Sequence, residues 1–188
     1  RHTTIHHYPE LMRELSNYLI GWQQGQTRGG YGLTELLKKE FIQQTNQVKD
    51  WKEAISLAAS PLLRENYIEQ SYIVGMIASV QKLGAYIVLA PKVAVPYAAP
   101  DLGVNKVGMS LLQVAEPVDF DVKGDEEKQV QLIFVLAAID STAHLKALQE
   151  LAMILDDDES IEQLIAAENP DEIMEIITET IKNGEKYD

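Results

Sequence analysis

The stretch "VQLIFVLAAIDSTAHLKALQELAMIL", residues 130–155, passes from an unbroken apolar run into a helical pattern within a few positions. The first part, "VQLIFVLAAI" (130–139), shows no sustained alternation of apolar and polar residues. That is the pattern of a strand buried on both faces, which needs helices above and below it. The strand is expected to end at Ile139, with Asp140 or Ser141 capping a helix and His144 in its first turn.

Outward from this unit the same grammar repeats. Upstream lie three more β-rich apolar runs: "AYIVLA" (85–90), "VAVPYA" (93–98) and "VGMSLLQV" (107–114), with "GDEEKQ" (124–129) as a polar loop before the last strand. Before them, "LTELLKKEFI" (33–42) reads as a short helix or a helix then a strand. "DWKEAISLAASPLLRE" (50–65) has helical spacing of Trp51, Ile55, Ala58 and Ala59, with Asp50 as N-cap. "YIEQSYIVGMIASVQKLG" (67–84) is a second amphipathic helix with Gly84 as its stop. Downstream, three helices are expected over 142–155, 160–167 and 170–181. Ser160 with Gln163 forms a capping box, and Pro170 suits the first turn of the last helix. Helices, then strands, then helices give an α/β fold in which helices flank a mixed β-sheet.

Residues 1–32 differ from the rest. They hold His2, His6 and His7, an amphipathic stretch over 9–20, and a Gly/Gln/Arg-rich trailer over 25–32 that reads as a linker. The expected organisation is an appendage or linker over 1–32 and one domain over 33–188. The His cluster lacks a further ligand at useful spacing, so no metal site is assigned to it. The 9–20 stretch is free to pack on its own domain or to exchange with a neighbour, which leaves a homo-oligomer open. Since Arg1, not Met, stands first, a domain cut from a longer chain is also expected.

Composition narrows the function. The chain has no cysteine, which excludes disulfides, thiolate nucleophiles and cysteine-based zinc sites; cytosol is the default compartment. No apolar run is long enough to cross a bilayer, so membrane insertion is not expected. The formal charge is −13, with acidic residues concentrated in "DDDES" (156–160), "AENPDEIMEIITET" (167–180) and "NGEKYD" (183–188). Such a surface repels phosphate backbones, so direct nucleic-acid contact is not expected. The acidic face is either a solvated helical surface or a landing area for a basic partner.

Motifs for chemistry are sparse. There is no Gly-rich phosphate loop, no nucleophile elbow and no metal-ligand spacing. No cofactor is implied. After residue 32 the lone histidine is His144. Near a helix N-terminus it is either a structural residue or a group placed where anions are favoured.

Two long motifs carry a resemblance. "GAYIVLAPKVAVPYAAPDLGVNKVGMSLLQVAEPVDF" (84–120), followed by "VQLIFVLAAIDSTAHLKALQELAMIL", resembles the EIIA phosphocarrier domain of the bacterial sugar phosphotransferase system, mannitol–fructose and ascorbate type. The resemblance runs from about residue 33 to 181. It implies an EIIA mannitol/fructose-type fold and a site in which a histidine after a proline takes a phosphoryl group from HPr and hands it to an EIIB domain. A second histidine in the following helix helps to hold the first. By that resemblance Pro96 is the proline, Tyr97 stands at the acceptor position and His144 matches the second histidine. Asp140, Gln81 and Ala99 fall in the pocket, with Ala99 where the family carries arginine and Gln81 where it often carries glutamate. Lys92 stands where the family has glycine.

A phenol with a pKa of about 10 stays protonated at neutral pH, and its phosphate ester is too stable to be passed on. A degenerate domain is therefore expected, acting in regulation or partner binding. One such setting is the C-terminus of a sugar-operon transcription activator. The alternatives are an active phosphocarrier for sugar alcohol or ascorbate uptake, with His144 as acceptor or Tyr97 modified, and a module that binds a small anion in the vacated pocket. HPr-like and EIIB-like domains are the implied partners.

Overall fold

In the computed structural model, which describes residues 31–122, 128–139 and 144–185, a single helical turn α1 (Leu33–Leu36) runs directly into strand β1 (Leu37–Thr45). Two helices follow, α2 (Trp51–Arg64) and α3 (Gln70–Leu83). The Asp50 side chain accepts the Glu53 N–H at 2.9 Å and so starts α2. The helix ends where Asn66 takes a left-handed φ of 63°. There the Tyr67 N–H bonds the Leu62 carbonyl at 2.8 Å and the Asn66 N–H bonds Leu63 at 3.1 Å, a Schellman closure with asparagine in the glycine place. Helix α3 buries Tyr72, Ile73, Met76 and Val80 and stops at Gly84, whose φ is 88°.

Strands β2 (Val88–Ala90), β3 (Lys92–Ala94), β4 (Gly108–Asp119) and β5 (Gln129–Ala137) complete a five-stranded sheet in the order β1-β4-β5-β3-β2. The β1/β4 and β3/β5 pairs are parallel; β4/β5 and β2/β3 are antiparallel. The mixed sheet flanked by helices is therefore as expected. Helices α4 (Leu145–Leu155), α5 (Asp158–Ala166) and α6 (Pro170–Glu185) finish the described chain.

Side-chain direction along β4 and β1 shows how both faces are covered. The Ser110 hydroxyl donates to the Ala58 carbonyl of α2, while the Gln113 amide, an odd number of residues on, donates to the Leu164 and Ala167 carbonyls at the end of α5. Gln43 and Gln44 in β1 divide in the same way, to Leu57 and to Ala167. Successive residues of a strand face opposite ways, so α2 covers one face and α5 the other. Phe134 and every residue of β5 from Leu132 to Ala137 are consequently buried, which is why the run shows no alternation.

Boundaries differ from the sequence reading where a local competitor wins. Strand β3 ends at Ala94, before Pro96 removes a backbone donor. Strand β5 ends at Ala137, two residues early. The α5 cap is Asp157, not Ser160: Asp157 Oδ1 accepts the Glu159 and Ser160 N–H groups. Ser160 is instead buried inside the helix, its hydroxyl sharing a 2.7 Å hydrogen bond with Thr180. Helix α6 runs on to Glu185, and α4 starts at Leu145. The expectations for residues 1–30, for most of the polar loop over 124–129 and for Asp140 and Ser141 lie outside the described residues. Among the described residues no helix is long and apolar enough to cross a membrane.

Candidate functional site

Parallel pairing of β3 with β5 fixes the level at which the Pro96–Tyr97 loop leaves the sheet. Ala94 pairs with Ile133, so Tyr97, three residues on, comes level with Leu136, one residue from the end of β5. His144 begins α4, the helix that returns from that same end of β5. Both residues thus lie at the carboxyl ends of parallel strands, where open α/β sheets hold their ligand sites.

Tyr72 of α3 ties the loop to this end. Its hydroxyl donates to the Leu136 carbonyl at 2.8 Å and accepts the Ala98 N–H at 3.4 Å. A Cβ at Gly75, one turn along α3, would stand 2.7 Å from Leu102 Cδ1 and 3.6 Å from the Ala98 Cβ. The loop therefore lies directly on the helix, and the absent side chain permits the approach. Pro96 is buried, Tyr97 half-buried, and Ala99 exposed at the start of a 3-10 turn (Pro100–Leu102).

Tyr97 is held through its ring. It meets Tyr86 edge-on, with centroids 5.7 Å apart and planes at 84°, and the Tyr86 hydroxyl shares a 2.9 Å hydrogen bond with Ser79 of α3. Edge-to-face contacts of this kind add about 0.5–1.5 kcal/mol beyond the area they bury. The Tyr97 hydroxyl oxygen is shielded from solvent. His144 is only 6% exposed, its Nδ1 likewise shielded. It stands at the N-cap of α4, not within the first turn, and its carbonyl accepts the Leu148 N–H at 3.0 Å.

Gln81 is exposed on the last turn of α3, so Tyr72, Gly75 and Ser79 form the face of that helix turned to the loop. Sequence reasoning missed these three together with Tyr86. The readable signal was Tyr72 on the apolar stripe of α3, because a buried tyrosine needs a partner for its hydroxyl. Lys92 takes φ 72°, the left-handed region that glycine occupies without cost, and its ammonium pairs with Glu162 at 2.9 Å. Among the described residues no three metal-ligating side chains come together.

Comparison with known proteins identifies the fold and the family. Residues 35–180 match the family model "Phosphoenolpyruvate-dependent sugar phosphotransferase system, EIIA 2". The mannitol-specific cryptic phosphotransferase enzyme IIA component of Escherichia coli (strain K12) is 36% identical over 146 residues, which span 78% of this chain and 97% of that protein. The solution structure of the E. coli mannitol-specific cryptic enzyme IIA superposes with a TM-score of 0.71 at 34% identity, covering 79% of this chain and 99% of the other. The enzyme IIA in the E. coli complex of enzyme IIAMTL with phosphorylated enzyme IIBMTL superposes with a TM-score of 0.64 at 28% identity, covering 76% and 99%. The chain belongs to the EIIA 2 family of the phosphoenolpyruvate-dependent sugar phosphotransferase system.

Proposed function

We propose that this chain is an EIIA-type domain that docks EIIB-like and HPr-like partners without relaying phosphate, and that it serves regulation. The observation that carries this reading is Tyr97. By the resemblance of the motif after Pro96 it stands at the acceptor position, and its half-buried ring packs edge-on against Tyr86 beside the core. A relay also needs charge stabilisation at the phosphoryl oxygens. In the loop Ala99 offers no cation, and His144 is almost wholly buried. The family scaffold and the kinship with an enzyme IIA solved together with phosphorylated IIB support partner docking. As the C-terminal module of a sugar-operon activator, such a domain would report on transport proteins through binding alone.

The test is transfer of labelled phosphate from phospho-HPr to the native chain, Tyr97→His and His144→Ala. The native chain is expected to stay unlabelled, and Tyr97→His to gain label. Labelling of the native chain that His144→Ala abolishes would place an active phosphocarrier here with the acceptor moved to the second histidine.

A further inference from the structure

A second feature lies at the same end of the sheet but on its β1/β4 flank, where the connection that leaves β3 through Tyr97 enters β4. It is an open cleft of about 500 Å³ whose walls include Leu36, Lys38, Tyr67, Lys106, Val107 and Ile139. Clefts of roughly 300–1,000 Å³ are the size that small ligands use.

Two lysines give the cleft its chemistry. Lys38 Nζ donates to the Tyr67 hydroxyl at 3.4 Å, and Lys106 Nζ stands 5.2 Å above the Tyr67 ring. Neither enters an ion pair among the described residues, where the pairs are Lys39–Asp171 and Lys92–Glu162. Two ammonium groups are thus gathered on one tyrosine with no carboxylate among the described residues in ion-pair range of either. The one carboxylate on the wall, Glu35, already accepts the Gly32 N–H at 2.9 Å. Asn105 is also on the wall, its amide donating to Glu69 at 2.6 Å and to the Asn66 carbonyl at 3.2 Å.

Tyr67 is fixed before any ligand arrives. Its N–H closes the Schellman turn of α2, its carbonyl accepts the N–H groups of Asn105 and Lys106, and Phe41 meets its ring edge-on at 5.2 Å. A Cβ at Gly108 would stand 2.6 Å from its Cδ2, so the ring presses on backbone. A rigid aromatic platform between two cations lowers the ordering cost of binding.

From this geometry we infer that the cleft binds a compact monocarboxylate with a flat apolar body. Two lysines against one carboxylate leave a local charge of about +1, which matches a singly charged headgroup. Leu36, Val107, Ile139 and the Tyr67 ring suit an apolar or aromatic body.

The experiment is an amide NMR titration of the full 188-residue chain with benzoate, beside benzyl alcohol and phenyl phosphate. Benzoate is expected to give saturable shifts at Asn105, Lys106 and Val107 with a Kd of about 1 mM, ordinary for so small a ligand. Lys38→Gln and Lys106→Gln should each weaken it about threefold, as exposed charge pairs do. Glu35→Gln should tighten it by a similar factor while keeping an acceptor for Gly32. Tyr97→His should leave it unchanged, which separates this cleft from the candidate phosphoryl site. No saturation by 20 mM (about twenty times the expected Kd), equal binding of benzyl alcohol, a preference for phenyl phosphate, or indifference to both lysine changes would each overturn the inference.

Discussion

Lys92 shows what a single residue costs when its neighbours fix its backbone. The β2/β3 hairpin turns at Pro91 and Lys92, and the turn demands φ 72° from a side chain with a Cβ. That conformation costs an L-residue roughly 1–2 kcal/mol. Opposing this is the ion pair to Glu162, with both side chains substantially exposed and worth at most about 1 kcal/mol once screened by water. Glycine also loses some folding entropy, about 0.5–1 kcal/mol. At their midpoints the strain, about 1.5 kcal/mol, exceeds the two opposing terms together by only a few tenths, so Lys92→Gly is expected to raise Tm by no more than about 1 °C for a chain of this size. Glu162→Gln isolates the ion pair and should change Tm by less than about 2 °C. A fall in Tm for Lys92→Gly, measured by calorimetry, would show that the ion pair outweighs the backbone. Tyr97 itself was legible from its place after Pro96. Its ring partner was not, because Tyr86 reads equally well as an ordinary member of an apolar run.

Among elements, the seam between α5 and the sheet depends on two glutamines. Gln113 donates to the Leu164 and Ala167 carbonyls at 2.7 and 2.9 Å, and its own oxygen accepts the Gln44 amide at 2.8 Å. These carbonyls belong to the last turn of α5, where no intrahelical donor remains. Gln113→Leu fills the space but leaves the buried Leu164 carbonyl without its side-chain donor, while Ala167 keeps the Gln44 amide, at a cost of about 1–3 kcal/mol. The expected outcome is a Tm lower by about 3–8 °C, with faster amide exchange at the end of α5 while α2 stays protected. Uniform loss of protection would mean that the seam is not a local unit. This network also marks the reach of sequence reasoning. The run over 107–114 was legible as a doubly covered strand, yet the partner of its one glutamine depends on where α5 packs. The start of α5 was misplaced for a related reason. Asp157 and Ser160 are both good caps, and the choice falls on Asp157 because the Ser160 hydroxyl faces Thr180 across the α5/α6 contact.

For the molecule as a whole, order of elements and coverage of the sheet followed from the sequence pattern, because apolar runs without alternation admit few arrangements. The start of the domain is a sharper matter. Leu33 is fully buried, Leu36 nearly so, and the Leu33 N–H donates at 2.7 Å to Glu150 of α4, 117 residues on in the chain. Glu150 is itself 7% exposed, so this contact joins the first described helix to the helix that follows β5 through a buried carboxylate. A domain beginning at 33 in fact needs Gly32 as well, since its carbonyl accepts the Glu35 and Leu36 N–H groups that form α1. A chain of residues 31–188 is therefore expected to melt within about 2 °C of the full chain, because it retains every described core contact. Cutting further, to residues 37–188, removes two buried leucines and the Leu33 N–H that Glu150 accepts. Each lost leucine costs about 2–5 kcal/mol, which approaches the whole stability of an ordinary domain. Calorimetry on the two truncations decides the boundary. A large loss of Tm already at 31–188 would mean that residues before 31 complete the core, and an unchanged Tm at 37–188 would remove α1 from it.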